Sequence, residues 1–340
     1  MSKKNSSVIL KKAFLNNQEL YSSLLDFKII LEKIRNKNFL IAVSGGPDSL
    51  ALTALAKACS YEKKYNFKFA LVNHNIRANS SKEAISVKKL LSKHGIPLVI
   101  LKNKKLINKN IQGSAREVRY NLLKEYCRKK KLKNIITAHN LEDQVETFLI
   151  RLSRGSGLQG LSSMRQINKI DKNIHLIRPL LNYKKIQLIK ITKTIFGKFF
   201  KDPTNKNKKY LRSRVRELKK PLENSGINYL QIIKSINNLA ASRDTLDNYF
   251  KTIYKDIVRK EKNKIYINLN SFNALNTEIK IRIIQQSIKE VSKIYYFTRA
   301  KKILNLISRI DSGKDKNLYL SSCQIKVDKK YLIIKKKTIN

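Results

Sequence analysis

Cysteine is scarce: Cys59, Cys127 and Cys323 are the three in 340 residues, and no C-x-x-C occurs. Neither a zinc ribbon nor a disulfide framework is suggested. No apolar run approaches the roughly 18 residues of a membrane span. The short stretch Val8, Ile9, Leu10 is followed by lysines rather than by a signal-peptide core, and Glu19 and Asp26 argue against a transit peptide. The expectation is a soluble, reduced, cytoplasmic protein with no membrane partner. Acids are scarce too: 24 Asp and Glu face 73 Lys and Arg, a formal net charge of +49. An AT-rich coding bias would enrich Lys but would enrich Glu as well. The shortage therefore needs another cause, and a polyanionic partner such as RNA supplies one. With 42% hydrophobic residues over this length, the chain is expected to fold as more than one domain.

One motif is defined partly by what it omits. Ser44, Gly45, Gly46, Pro47, Asp48 and Ser49 follow the apolar run Phe39–Val43 and precede a helix-like stretch at 50–57. No lysine follows the glycines, which excludes the usual kinase and ATPase P-loop. A buried strand turning through glycines into a helix still leaves backbone N–H groups at a positive dipole end, where a phosphate chain can sit. Glycine permits unusual dihedrals and close approach to an anion. Asp48 adds a carboxylate for Mg2+, and Ser44 and Ser49 add hydroxyl donors. The expected ligand is ATP.

Strand-like runs at 39–43, 67–72, 97–101, 134–137 and 174–177 alternate with helical stretches at 50–57, 82–93, 115–130 and 141–152. Ser114 and Glu117 have the spacing of a capping box and predict the start of the third helix. The alternation predicts an α/β fold, a parallel sheet with helices on both faces and ligands at the carboxyl ends of the strands. Polar clusters fall at those ends. His74 and Arg77 follow the second strand, and His139, Glu142, Asp143 and Glu146 follow the fourth. Acids at a helix start are favoured by its dipole, yet Asp143 could also join Asp48 at a metal ion. Arg116 and Arg119 could clamp a phosphate or pair with an acid, and Arg212, Arg214 and Arg216 form a basic run. Gly155, Gly157 and Gly160 satisfy G-x-G-x-x-G but follow a helix, so a dinucleotide site is not expected there.

Taken in order, these stretches resemble one family of the PP-loop N-type ATP pyrophosphatases, the tRNA(Ile)-lysidine synthetases. The matching segments are SGGPDS at 44–49, VNHNIR at 72–77, AREVRY at 115–120, TAHNLEDQVET at 137–147, RGSGLQGL at 154–161, RPLL at 178–181, KDPTN at 201–205 and RSRVR at 212–216. SSCQI at 321–325 looks like a C-terminal element of longer members. The resemblance implies an adenine nucleotide alpha hydrolase-like fold that uses ATP with Mg2+. The wobble cytidine of a CAU-anticodon tRNA(Ile) would be adenylated, and free L-lysine would then displace AMP to give lysidine, changing the codon read from AUG to AUA. Asp48, Arg116, His139 and Asp143 are the implied catalytic residues, with Asp48 and Asp143 as metal ligands. Residues 44–49 are implied to bind ATP, and His74, Arg77, Arg119, Arg212, Arg214 and Arg216 to touch tRNA or phosphate. Departures are Asn140 at a position usually histidine, Glu142 for aspartate, Ile76 for leucine and Ser213 for asparagine. A homodimer is left open.

Beyond about residue 222 the apolar spacing becomes helical, as in Ile232 and Ile236, Ile279, Ile283 and Ile288, and Ile303, Leu304, Ile307 and Ile310. The expected organisation is a catalytic domain at 1–221, a helical tRNA-contacting domain at 222–312 and a small β element at 313–340.

Overall fold

The computed structural model describes residues 10, 12–76, 79–103, 111–200, 209–293, 298–313 and 315–337. Arg77 and the segment KDPTN, with Asp202 and Asn205, lie outside the described residues. The chain divides into two compact units, Met1–Leu239 and Ala240–Asn340.

In the first unit α1 (Gln18–Glu32) leads to β1 (Asn38–Val43), α2 (Pro47–Cys59), β2 (Asn66–Asn73), α3 (Ser80–Lys93) and β3 (Leu98–Lys102). Then come α4 (Ile111–Lys129), β4 (Asn134–Ile136), α5 (Leu141–Leu152), α6 (Leu158–Leu161), β5 (Ile167–Asp171) and β6 (Ile174–Ile177). The unit continues with α7 (Lys185–Phe196), α8 (Leu211–Glu217) and α9 (Lys219–Asn224). The division between units falls within α10 (Tyr229–Ile257).

The apolar run in β1 is buried on both sheet faces. Phe39, Ile41 and Val43 point into a core shared with α1, α2, α3 and α7, whereas Leu40 points the other way, onto Leu123 and Cys127 of α4. This follows from the two-residue period of a strand in a sheet covered on both sides. The strand order is β3-β2-β1-β4-β6-β5. All neighbours run parallel except the β5–β6 hairpin. From β1 the chain winds outward through β2 and β3, then returns to β4 on the other flank of β1. That reversal opens a crevice outside the carboxyl ends of β1 and β4, the usual ligand position in an open α/β sheet.

The expected parallel sheet is present, with two local differences. The chain is already helical from Ile111, so Ser114 lies inside α4 rather than at its start. A local S-x-x-E pattern marks a start only where the preceding chain leaves the helical path, and here it does not. Strand β5 was not legible because its first three residues are exposed and polar residues interrupt any alternation.

In the second unit β7 (Val258–Glu261) and β8 (Lys264–Asn268) precede α11 (Leu269–Asn273), α12 (Thr277–Ser292) and α13 (Ala300–Asp311). The chain ends with β9 (Asn317–Leu320), β10 (Cys323–Val327) and β11 (Tyr331–Lys336). The expected isoleucine stripes form its core: Ile279, Ile283 and Ile288 meet Ile303, Ile307 and Ile310, while Leu304 is exposed. The C-terminal strands do not form a sheet of their own. β11 pairs with β8, giving a five-stranded antiparallel sheet in the order β7-β8-β11-β10-β9.

Candidate active site

Gly45 takes φ +84°, and a Cβ there would sit 2.6 Å from Cγ2 of buried Val87. Only glycine fits that turn without strain. Gly46, by contrast, has an ordinary φ of −71° and serves as N-cap of α2, with Pro47 inside the first turn. The helix thus starts three residues earlier than its apolar pattern suggested and carries Asp48 and Ser49 in its first turn. Having glycine as N-cap, it has no side-chain cap, so its first-turn amides remain available to a ligand.

The serines brace this loop. The Ser49 hydroxyl donates to the Gly46 carbonyl at 3.0 Å and accepts from the Ser44 amide at 3.1 Å and the Ser44 hydroxyl at 3.0 Å. Further supports are the Thr192 hydroxyl on the Pro47 carbonyl at 2.6 Å and the Phe200 amide on the Gly45 carbonyl at 3.0 Å. Ser44 is exposed, while Ser49 is buried.

Asp48 turns into the crevice, and its Oδ1 is buried without a partner. Burial pushes its carboxyl up to about 6, with the carboxylates of Asp143 and Glu142 adding to the rise; the Lys185 ammonium and a hydrogen bond from Asn140 oppose it. Asn140 was read from the sequence as a lost histidine. It is the N-cap of α5, accepting from the Asp143 amide at 2.9 Å, while Asp143 Oδ2 accepts from the Asn140 amide at 3.1 Å. This reciprocal box fixes the start of α5 and ties it to Asp48. Lys185 was not anticipated; its backbone amide donates to Glu142 at 2.9 Å.

The basic run divides by helical face. Arg212 and Arg216, one turn apart on α8, face α5: Arg212 reaches Asp143 at 2.9 Å and Glu146 at 2.6 Å, and Arg216 reaches the other oxygen of Glu146 at 2.6 Å. Glu146 is only 4% exposed on its side chain, and the sequence reading gave it no more than a dipole role. Arg214 lies on the opposite side, exposed, and donates to the Lys209 carbonyl at 3.5 Å.

His139 Nδ1 is hydrogen-bonded to the Thr137 hydroxyl at 2.9 Å. Burial holds its imidazole well below the usual histidine range, and the charges of Arg178, Arg116, Arg212 and Arg119 press it further down. His139 is therefore neutral at pH 7, ringed by arginines. His74, at the end of β2, is likewise pushed down to about 4 by burial and by Arg119. Arg116 and Arg119 stand exposed on α4, and the Arg116 guanidinium lies 5.1 Å over the Tyr120 ring. Arg178, quoted within RPLL but given no role, is buried beneath them.

The structure thus brings Asp48, Asp143, Arg212 and Arg216 together at the β1–β4 crevice, with His139 beside the α4 arginines; Arg214 stands apart. Among the described residues no group of three or more His, Cys, Asp or Glu side chains gathers to hold a metal ion.

A glycine turn lifting uncapped amides at the switch point of a parallel sheet, faced by a carboxylate with one unpartnered oxygen, is the arrangement of a nucleotide-binding protein of the PP-loop class. Residues 20–222 match the model of the PP-loop domain family. The chain is 34% identical over 296 residues to the tRNA(Ile)-lysidine synthase of Wolbachia pipientis wMel, covering 86% of this chain and 68% of that protein. It is 31% identical over 298 residues to the tRNA(Ile)-lysidine synthase of Wolbachia sp. subsp. Brugia malayi (strain TRS), covering 86% and 69%. The chain belongs to the tRNA(Ile)-lysidine synthase family. In fold it is similar to the U34-tRNA thiolase NcsA from Methanococcus maripaludis, with a TM-score of 0.55 at 18% identity, over 66% of this chain and 80% of that one.

Proposed function

We infer that this chain is a ligase that forms lysidine in tRNA(Ile) with ATP, and we propose the roles of its residues as follows. The triphosphate lies along the first-turn amides of α2 and the Gly45–Gly46 turn. The cytidine oxygen attacks the α-phosphorus and pyrophosphate departs; the lysine ε-amine then attacks the adenylated ring carbon, AMP leaves and the amine loses a proton. Charge developing on the leaving pyrophosphate is met by amides and guanidiniums already in place, chiefly Arg116. His139 is uncharged, so it serves as a neutral hydrogen-bonding group in a cationic setting rather than as a further cation.

Asp48 fits a magnesium ligand, because its buried Oδ1 has no protein partner and Mg2+ is commonly held by one or two carboxylates plus substrate phosphates. Asp143 would join it through the lone pairs that Arg212 and the Asn140 amide leave free. The ion, when bound, supplies charge neutralisation and orientation of the phosphates. His74, Arg77, Arg119 and Arg214 are proposed to touch RNA phosphate, and the lysine-rich region past 222 to grip the tRNA away from its anticodon. The setting is the cytoplasm; among the described residues no helix is long and apolar enough to cross a membrane.

The observation that carries this reading over sulfur transfer is the state of the cysteines. All three are buried, and burial pushes Cys59 and Cys127 up to about 12, so none is a ready nucleophile. With tRNA(Ile) transcript, ATP, Mg2+ and labelled lysine, label is expected in acid-precipitable RNA together with AMP. Modification that requires a sulfur donor, or RNA binding with no AMP formed, would overturn the reading.

A further inference from the structure

Arg178 stands just after β6, two strands across the sheet from the glycine loop. It is 6% exposed, and its Nε is buried without a partner. One Nη donates to the Arg165 carbonyl at 2.8 Å, and the Tyr120 hydroxyl is hydrogen-bonded to the guanidinium. Among the described residues no carboxylate pairs with it. Its charged neighbours include Arg116 and Arg151. A buried cation among cations is expensive unless an anion arrives or its position serves another group.

The contacts form a chain from the core to the surface. Arg178 is buried, Tyr120 is half-buried with its hydroxyl on Arg178, and Arg116 is exposed with its guanidinium over the Tyr120 ring at 5.1 Å. An exposed arginine on a helix has many rotamers; one stacked on a ring whose hydroxyl is pinned from below has few. We propose that Arg178 is a positioning residue that, through the Tyr120 hydroxyl, sets the Arg116 guanidinium beside His139 as a seat for a phosphate group. That group is supplied either by the departing pyrophosphate or by a phosphodiester of the RNA. This rests on the ligase reading for its setting, but it concerns anion binding and does not need lysine.

The test measures binding of inorganic pyrophosphate by calorimetry and of the anticodon stem-loop RNA by fluorescence anisotropy. The proteins are the full chain, Tyr120→Phe, Arg178→Lys, Arg116→Gln and the double variant Tyr120→Phe/Arg116→Gln. Tyr120→Phe keeps the ring and guards against a folding defect at the buried arginine; thermal midpoints confirm that each protein is folded. Loss of the hydroxyl should weaken at least one probe about threefold to tenfold, the range of one lost hydrogen bond, and Arg178→Lys should do the same because an ammonium lacks the planar fork. Weaker pyrophosphate binding assigns the seat to the leaving group, and weaker RNA binding alone assigns it to the phosphodiester. Since Tyr120 is held to act through Arg116, the double variant should bind no worse than Arg116→Gln. Unchanged binding of both probes in folded Tyr120→Phe and Arg178→Lys, or losses that multiply in the double variant, would overturn it. If no lysidine forms but these binding losses appear, the ligase reading fails and the seat stands.

Discussion

The two glycines of the loop should fail in different assays when each is changed to alanine. At Gly45 an alanine must hold φ +84° and place a Cβ 2.6 Å from Val87 Cγ2 and 3.4 Å from Phe200 Cδ2. The left-handed backbone costs roughly 1–2 kcal/mol and overpacking against a buried valine about 1–3 kcal/mol. For a unit of this size that lowers the thermal midpoint by roughly 4–20 °C. At Gly46 φ is ordinary and the nearest atom to an added Cβ is Ser44 Oγ at 3.7 Å. Alanine there loses only the N-cap preference of glycine, about 1 kcal/mol or less. Its methyl nevertheless stands where the phosphates are proposed to approach, and a displacement of about 1 Å can reduce turnover on the order of 100-fold. Scanning calorimetry and AMP formation against ATP concentration, run on both variants, separate the two effects. A Gly45→Ala midpoint within about 2 °C of wild type, or unaltered ATP kinetics in Gly46→Ala, would refute the reasoning.

Further outcomes follow from the same geometry. Asp48→Asn should abolish AMP formation yet stabilise the ligand-free protein. The folded carboxyl sits at about 6 against 3.8, so the folded state binds the extra proton between those values and loses stability as pH rises through them. The upper bound is about 3 kcal/mol, discounted for partial exposure to about 1–2 kcal/mol; thermal melts at pH 7 and pH 3.5 should show the gain only at the higher pH. Glu146→Gln leaves two guanidiniums without their shared carboxylate and should cost about 2–4 kcal/mol, read from urea unfolding; a loss below about 0.5 kcal/mol would mean the pairs contribute nothing. His74 is held near 4 when folded and titrates near 6.5 when unfolded. The unfolded chain therefore takes the proton first, and stability falls as pH drops from 6.5 towards 4. His74→Gln should flatten that slope in denaturant titrations, and an unchanged slope would contradict a half-buried, neutral His74.

Much of the site could be read without coordinates because its signals are local. A fully apolar strand, two glycines and a proline specify a strand-to-helix turn through backbone sterics alone, and SGGPDS fell where that turn is. The strands of the parallel sheet were legible because buried strands read as continuous apolar runs, and the family motifs in their order carried the assignment of function. Local signals also misled where longer-range context decided the outcome, as with Ser114, which the continuing helix absorbed, and the C-terminal strands, whose partner β8 lies far back in the chain.

Composition and motif alone determined a basic α/β chain of the PP-loop kind, with a glycine turn between strand and helix at residues 44–49. Only the tertiary structure decided which charges face each other. Arg212 and Arg216 meet Glu146, Asn140 rather than a histidine steadies Asp48, and Arg178 lies beneath Tyr120 with no carboxylate partner among the described residues. A side chain's charge is fixed by its residue type, but the partner and the burial that set what the charge does come from segments distant in sequence, joined only when the sheet closes around its switch point.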